Sequence, residues 1–205
     1  MKVRIIGGDA DYDELFRSFG HSLVGDVHYA DLVCFTGGED VSPKLYGDNK
    51  HPYTYNNIVR DVDEADLYKI ALSKQIPMVG ICRGGQFLNV MNGGRMYQHV
   101  SGHTADHEIT DATTGEIVLV SSTHHQMMMM SSEGVLVASS TIGGTREWYD
   151  GQIARRDVSE LDTEVVFYDR TRCLCFQPHP EFRADRYLPM KQYFKTLLEK
   201  YLNVK

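Results

Sequence analysis

Val79-Gly80-Ile81-Cys82-Arg83-Gly84-Gly85-Gln86-Phe87-Leu88 is the stretch from which the fold can be read outward. Pro77 to Ile81 predicts a short buried strand, and Gly84 to Met91 predicts a helix directly after it. A strand that runs through a cysteine and small residues into a helix is the pattern of a nucleophile elbow. The sharp turn exposes the residue at its apex, and bulky neighbours would collide with the turn or with a ligand. A helix N-terminus beside the sulfur favours thiolate over thiol and offers free N–H groups to a developing oxyanion. A cysteine at a buried strand end is the alternative, and the flanking glycines argue against it.

Apolar runs at Val3–Ile6 and Leu32–Phe35 predict strands before the elbow, and those at Ile117–Val120, Val135–Ala138, Val165–Tyr168 and Leu174–Phe176 predict strands after it. Asp9 or Asp11 caps an expected helix ending near Phe19. Asp61 to Lys74 predicts another, with Leu67, Ile70 and Ala71 on one face. Tyr187, Met190, Phe194, Leu197, Leu198 and Tyr201 form the apolar stripe of a last helix. Pro43 to Asn57 predicts a loop. Early alternation of strand and helix predicts an α/β fold with three layers, a mostly parallel central sheet with helices on both faces. Closer strand spacing predicts an antiparallel section after about residue 95. The 205 residues carry no repeat and no linker, so a single domain over 1–205 is expected.

The formal charge of −7 lacks the basic footprint that nucleic-acid binding needs. No stretch suits a membrane span, and the apolar start is too short for a signal peptide. Cys34, Cys82, Cys173 and Cys175 read as reduced thiols of a cytoplasmic protein. Cys173 and Cys175 are too close along a strand for an unstrained disulfide. The run Met127 to Met130 reads as an adaptable apolar wall.

A nucleophilic thiol needs a base, and the base an orienter. Gln177-Pro178-His179-Pro180-Glu181 offers both, because two prolines fix the backbone around His179 and extended geometry puts Glu181 on the same side. Thr36-Gly37-Gly38 ends a strand and lets backbone approach a ligand closely. The N–H groups of Gly38 and Arg83 are therefore the candidate oxyanion donors. His99, His103, His107, His124 and His125 invite a metal reading. Ser101-Gly102 interrupts any shared helix face, however, and no carboxylate sits in a compelling pattern beside them, so no metal site is expected. Arg60, Asp61 and Glu64 read equally as pocket residues or as a favourably charged helix start.

Taken together, Thr36-Gly37-Gly38-Glu39-Asp40-Val41-Ser42-Pro43, Arg60-Asp61 with Glu64, Gly80 to Gln86, Ser122-Thr123-His124-His125-Gln126 and Gln177 to Glu181 resemble the class I glutamine amidotransferase-like superfamily. They look most like its γ-glutamyl hydrolase branch, the relatives of γ-glutamyl-γ-aminobutyrate hydrolase. The resemblance implies a flavodoxin-like sheet, a triad of Cys82, His179 and Glu181, and hydrolysis of a γ-glutamyl amide without metal or organic cofactor. It implies that Gln86, with the backbone near His125 and Gln126, holds the amino-acid end of the glutamyl group. It leaves His99, His103 and His107 as loop or rim residues. A small γ-glutamyl compound is the expected substrate. A glutaminase subunit that passes ammonia to a separate synthetase is the alternative, and a non-catalytic module on the same fold is a third. Residues 7–31 are short for the branch, Pro178 stands where an aromatic residue is common, and the loop near 45–57 is rich in Tyr and Asn. The glutamyl half of the substrate is thus indicated and the leaving amine is open.

Overall fold

The computed structural model describes residues 1–159 and 161–204. In chain order the first elements are β1 (Lys2–Ile6), α1 (Ala10–Ser18), β2 (Ser22–Leu23), β3 (Leu32–Phe35), α2 (Ile58–Ser73), β4 (Met78–Ile81) and α3 (Arg83–Met91). Then follow β5 (Arg95–Tyr97), β6 (His99–Val100), β7 (His107–Asp111), β8 (Ile117–Val120), β9 (Met127–Met129) and β10 (Val135–Ser140). β11 (Gly144–Asp150), β12 (Ile153–Ser159), β13 (Asp162–Tyr168), β14 (Cys173–Phe176) and α4 (Leu188–Leu202) complete the order.

Among the described residues nine strands form one sheet in the order β2-β1-β3-β4-β14-β13-β10-β7-β8. Every pairing from β2 to β14 is parallel, and every pairing from β14 to β8 is antiparallel. β3, β4 and β14 are buried at every position, as strands covered on both faces must be. β7 alternates buried and exposed residues, the mark of a sheet with one wet face. Helices α1 and α4 pack on one face through Leu15, Phe16, Met190 and Phe194. Helices α2 and α3 pack on the other through Tyr68, Ala71, Phe87 and Leu88. The three-layer arrangement and the antiparallel section agree with the sequence reading.

Three differences have local causes. α2 starts at Ile58 rather than Asp61, because the Asn57 side chain accepts from the N–H groups of Val59 and Arg60. The methionine run is a strand: β9 pairs with β5, with Met127 and Met128 fully buried. β11 and β12 form a hairpin that the sequence reading missed. Its charged residues mask the alternation, although the two-residue loop with Gly151 at φ +62° is a recognisable turn signal. No helix among the described residues is long and apolar enough to cross a membrane.

Candidate functional site

β14, though last in the chain, sits beside β4, with Phe176 opposite Ile81. The Cys82 N–H bonds Phe176 O at 2.8 Å, so Cys82 and the segment after Phe176 leave the sheet side by side. This is the carboxyl end of a parallel sheet, where open α/β folds bind ligands. Cys82 has φ +51° and ψ −114°, a backbone a non-glycine residue adopts only when its surroundings impose it. They impose it through close packing. A Cβ at Gly84 would lie 2.0 Å from Phe35 O, and one at Gly80 would lie 2.2 Å from the Gly84 carbonyl. Arg83 is the first residue of α3, so its N–H has no acceptor within the helix.

His179 lies across from the sulfur. Its Nδ1–H donates to Glu181 Oε1 at 2.6 Å, and its Nε2 lies 3.0 Å from Thr123 Oγ1. Ser121 Oγ accepts from the His179 N–H at 3.0 Å, and the Phe182 ring stacks on the imidazole at 4.8 Å. Burial disfavours the imidazolium. Hydrogen bonds to Cys82 and Glu181 outweigh burial and raise the His179 pKa to about 10. Gln177 Nε2 reaches the Cys82 sulfur at 3.6 Å. By contrast, burial pushes the Cys173 thiol up to about 11, and Cys34 and Cys175 are likewise raised by burial. All four cysteines are free.

The Thr36–Gly38 loop closes the third side. A Cβ at Gly37 would lie 3.3 Å from His179 Cε1 and 3.7 Å from Cys82 Cβ. The Gly37 N–H donates to Tyr12 Oη at 3.1 Å. Burial, and then the charge of Glu181, hold that phenol protonated. Gly38 has φ +142°, and a Cβ there would strike the Arg60 guanidinium. Arg60 donates to the carbonyls of Thr36 and Gly37 at 3.3 and 3.0 Å and to Glu64 at 2.8 Å. Glu64 and Asp61 also pair with the buried Arg83 side chain. Arg60, Asp61 and Glu64 thus lie at the start of α2 without lining the cavity, and they act on the site through their partners. These residues tie the glycine loop to the first residue of α3, and so tie the two candidate N–H donors together.

Gly38, Cys82, Arg83, Gln86, His125 and Gln126 line one cavity of about 150 Å³, with Glu39, Asp40 and Tyr55 at its outer side. That is below the roughly 300–1,000 Å³ of drug-sized ligand sites and suits an amino-acid-sized group. Gln86 Nε2 donates to Gln126 O at 3.2 Å and to Gln177 Oε1 at 3.1 Å. Gln126 Nε2 donates to Thr54 at 3.1 Å, so both amides also brace the wall. His125 pairs with Asp40 at 3.2 Å, a hydrogen bond that raises its pKa. Thr123, Gln177 and Tyr12 were given no individual role from sequence. Thr123 and Gln177 sat inside motifs already singled out, while Tyr12 gave no signal.

The other histidines divide. His99 packs against Tyr53, His51 and His125 at the rim. His103, His107 and His124 instead converge below the cavity wall on Glu164, which β13 supplies from 40 or more positions away. The expectation that no carboxylate accompanies them holds only for neighbours in sequence.

An elbow cysteine, a carboxylate-bound histidine and a glycine loop thus meet at the carboxyl end of a mixed sheet. The Peptidase C26 family matches residues 25–152, and the chain belongs to that family. The matched range holds Gly38, Cys82, Arg83, Gln86, His125 and Gln126, whereas His179 and Glu181 lie beyond it. A glutamine amidotransferase-like protein of Lactococcus lactis subsp. cremoris is 35% identical over 100 residues, covering 43% of this chain and 53% of the relative. Protein NtpR of Enterococcus hirae is 40% identical over 76 residues, 37% of this chain and 32% of that protein. The chain spans about half or less of the length of the curated relatives it matches. A glutamine amidotransferase of Thermotoga maritima has the same fold, with a TM-score of 0.63 at 16% identity over 100% of this chain and 85% of that one. PurLQS of the same organism matches with a TM-score of 0.63 at 14% identity, covering 97% of both chains.

Proposed function

We propose that this chain is one cysteine-dependent hydrolase domain acting on γ-glutamyl amide bonds in the cytoplasm, without a metal or organic cofactor in the reaction. The observation that carries the reading is Cys82, held at a strained elbow against a helix N-terminus and facing a histidine whose other nitrogen is fixed by Glu181. The Cys82 thiolate forms a C–S bond to the γ-carbonyl carbon, and the carbonyl oxygen becomes an oxyanion facing the N–H groups of Gly38 and Arg83. Collapse breaks the C–N bond as His179 gives its proton to the leaving amine. Water then loses a proton to His179 and attacks the γ-glutamyl thioester. The C–S bond breaks, and glutamate and the thiolate are released. Gln86, His125 and the backbone of Gln126 hold the glutamyl end. The test is a glutamate-release assay over a panel of γ-glutamyl amides, including glutamine. Release from at least one member is expected, and inertness toward all would refute the reading.

A second reading, a glutaminase subunit feeding ammonia to a synthetase, draws support from one relative. The carbamoyl phosphate synthase small chain of Thermotoga maritima is 38% identical over 56 residues, 27% of this chain and 14% of that protein. Glutamine turnover that rises sharply on adding a co-purifying ligase would select it.

A further inference from the structure

The cluster below the cavity wall poses a proton-counting problem. His103 Nε2 lies 3.0 Å from Asp162 Oδ2, an acceptor, so that nitrogen carries the ring proton. Burial works against a second proton on His103, but hydrogen bonds to Asp162 and Glu164 outweigh it and raise its pKa to about 9. Without a metal, Nδ1 therefore holds a proton 3.4 Å from Glu164 Oε1 that an ion would displace. His124 Nδ1 lies 2.8 Å from Gln126 O, so it carries the ring proton. His124 Nε2 is then bare and without a partner, 3.8 Å from Glu164 Oε1. Glu164 Oε2 also lacks a partner. His103, His124 and Glu164 are 1%, 5% and 0% exposed, so bulk water does not answer for them. His103 and His107 serve Glu164 Oε1, but two buried acceptors, His124 Nε2 and Glu164 Oε2, stay unmatched, at a cost in free energy that a cation between them would remove.

We propose that His103 Nδ1, His124 Nε2 and the Glu164 carboxylate bind a divalent transition-metal ion, with zinc the best fit to two imidazoles and a carboxylate. The three ligand atoms already lie within 4.8 Å of one another. Metal–ligand bonds of about 2.0–2.2 Å give a tetrahedral edge of about 3.4 Å. The His103–Glu164 and His124–Glu164 pairs stand at 3.4 and 3.8 Å, and the two imidazole nitrogens, within 4.8 Å of each other, would close in on the ion. The outer partners are also in place. Metal-bound histidines donate their second N–H to a carboxylate or carbonyl, as His103 does to Asp162 and His124 to Gln126. His107 Nε2, 3.1 Å from Glu164 Oε1, steadies the carboxylate from another side. The ion is structural. It fastens the segment from Ser122 to Gln126, in which Thr123 meets His179 and the Gln126 carbonyl meets Gln86. This inference stands apart from the hydrolase reading and survives its failure.

The full chain, purified without chelators from zinc-supplemented culture, is assayed for metal by plasma mass spectrometry. About one zinc per chain is expected. It is retained in Cys82→Ser, lost in Glu164→Gln, and held about 10–100-fold more weakly in Asp162→Asn. Stripping lowers the thermal midpoint, and added Zn²⁺ restores it. Co²⁺ reconstitution gives visible d–d bands without a thiolate charge-transfer band, a readout that needs no variant to fold. The proposal is overturned by folded protein that binds neither ion at one equivalent with its midpoint unmoved. It is equally overturned by a metal that survives Glu164→Gln but leaves with Cys82→Ser, or by a cobalt–thiolate band.

Discussion

The two halves of the central sheet treat polar groups differently. In the parallel half, the charges at the carboxyl ends of β3, β4 and β14 are paired, though Arg83 Nε and Glu181 Oε2 have no partner. Arg83 meets Asp61 and Glu64, Arg60 meets Glu39 and Glu64, and His179 meets Glu181. What stays open there is the backbone around Cys82, facing a cavity. In the antiparallel half, His103 and His107 meet Asp162 and Glu164 with no cavity of their own, while His124 Nε2 and Glu164 Oε2 keep no partner. A matched frame around an open backbone suits a passing substrate whose charge appears only during reaction. A closed, unmatched cluster suits a resident ion.

Breaking the frame of the parallel half tests the contrast most severely. Glu181→Gln keeps the shape but removes the charge that orients His179, and glutamate release should fall about 10³- to 10⁴-fold in kcat. A loss under tenfold would mean that Glu181 only packs. Glu64→Ala takes one partner from the buried Arg83 and one from the half-buried Arg60 and should cost roughly 3–5 kcal/mol in denaturant unfolding, with activity reduced in whatever folds. Unchanged stability would show that the charges are not matched as described. Thr123→Val removes the hydroxyl from His179 Nε2 and should change kcat about 3- to 10-fold while the thermal midpoint moves little. A loss as deep as that of Glu181→Gln would place Thr123 in the chemistry itself.

The proton on His179 sharpens the comparison further. Its pKa of about 10 in the folded protein exceeds the ordinary histidine value near 6.5, so folding binds this proton more tightly. The stability it contributes is complete below about pH 6.5 and is lost as pH rises through about 10. NMR titration of the His179 ring should show a midpoint near 10, falling toward the ordinary range in Cys82→Ala, because the Cys82 hydrogen bond is the leading cause of the rise. An unchanged midpoint in that variant would remove Cys82 as the cause.

Legibility in the sequence follows a different divide. The parallel half was readable because its strands are continuous apolar runs and its elbow depends on residues adjacent in the chain. Gly80, Cys82 and Gly84 announce themselves within five positions. The place of His179 was less direct, since only the insertion of β14 beside β4 brings it to Cys82. In the antiparallel half β8, β10 and β13 are apolar runs that the sequence shows, while β7 is not. The least legible elements lie outside the central sheet: β5, β6 and the β11–β12 hairpin are short or charge-rich, and Arg146, Glu147, Arg155 and Arg156 hide the alternation. Glu164 could not be joined to His103 and His124, because only the tertiary fold makes them neighbours. The start of α2 was misplaced for a smaller reason: Asp61 resembles a first-turn acid, yet its carboxylate turns inward to Arg83.

The claim that Cys82 is the nucleophile is tested most directly by acid-quenching the enzyme during turnover and mapping the digest by mass spectrometry. The account predicts a γ-glutamyl thioester on the peptide carrying Cys82, absent in Cys82→Ala, which releases glutamate on the order of 10⁴-fold more slowly or not at all. Full turnover by Cys82→Ala, or an adduct on Cys34, Cys173 or Cys175 instead, would contradict it.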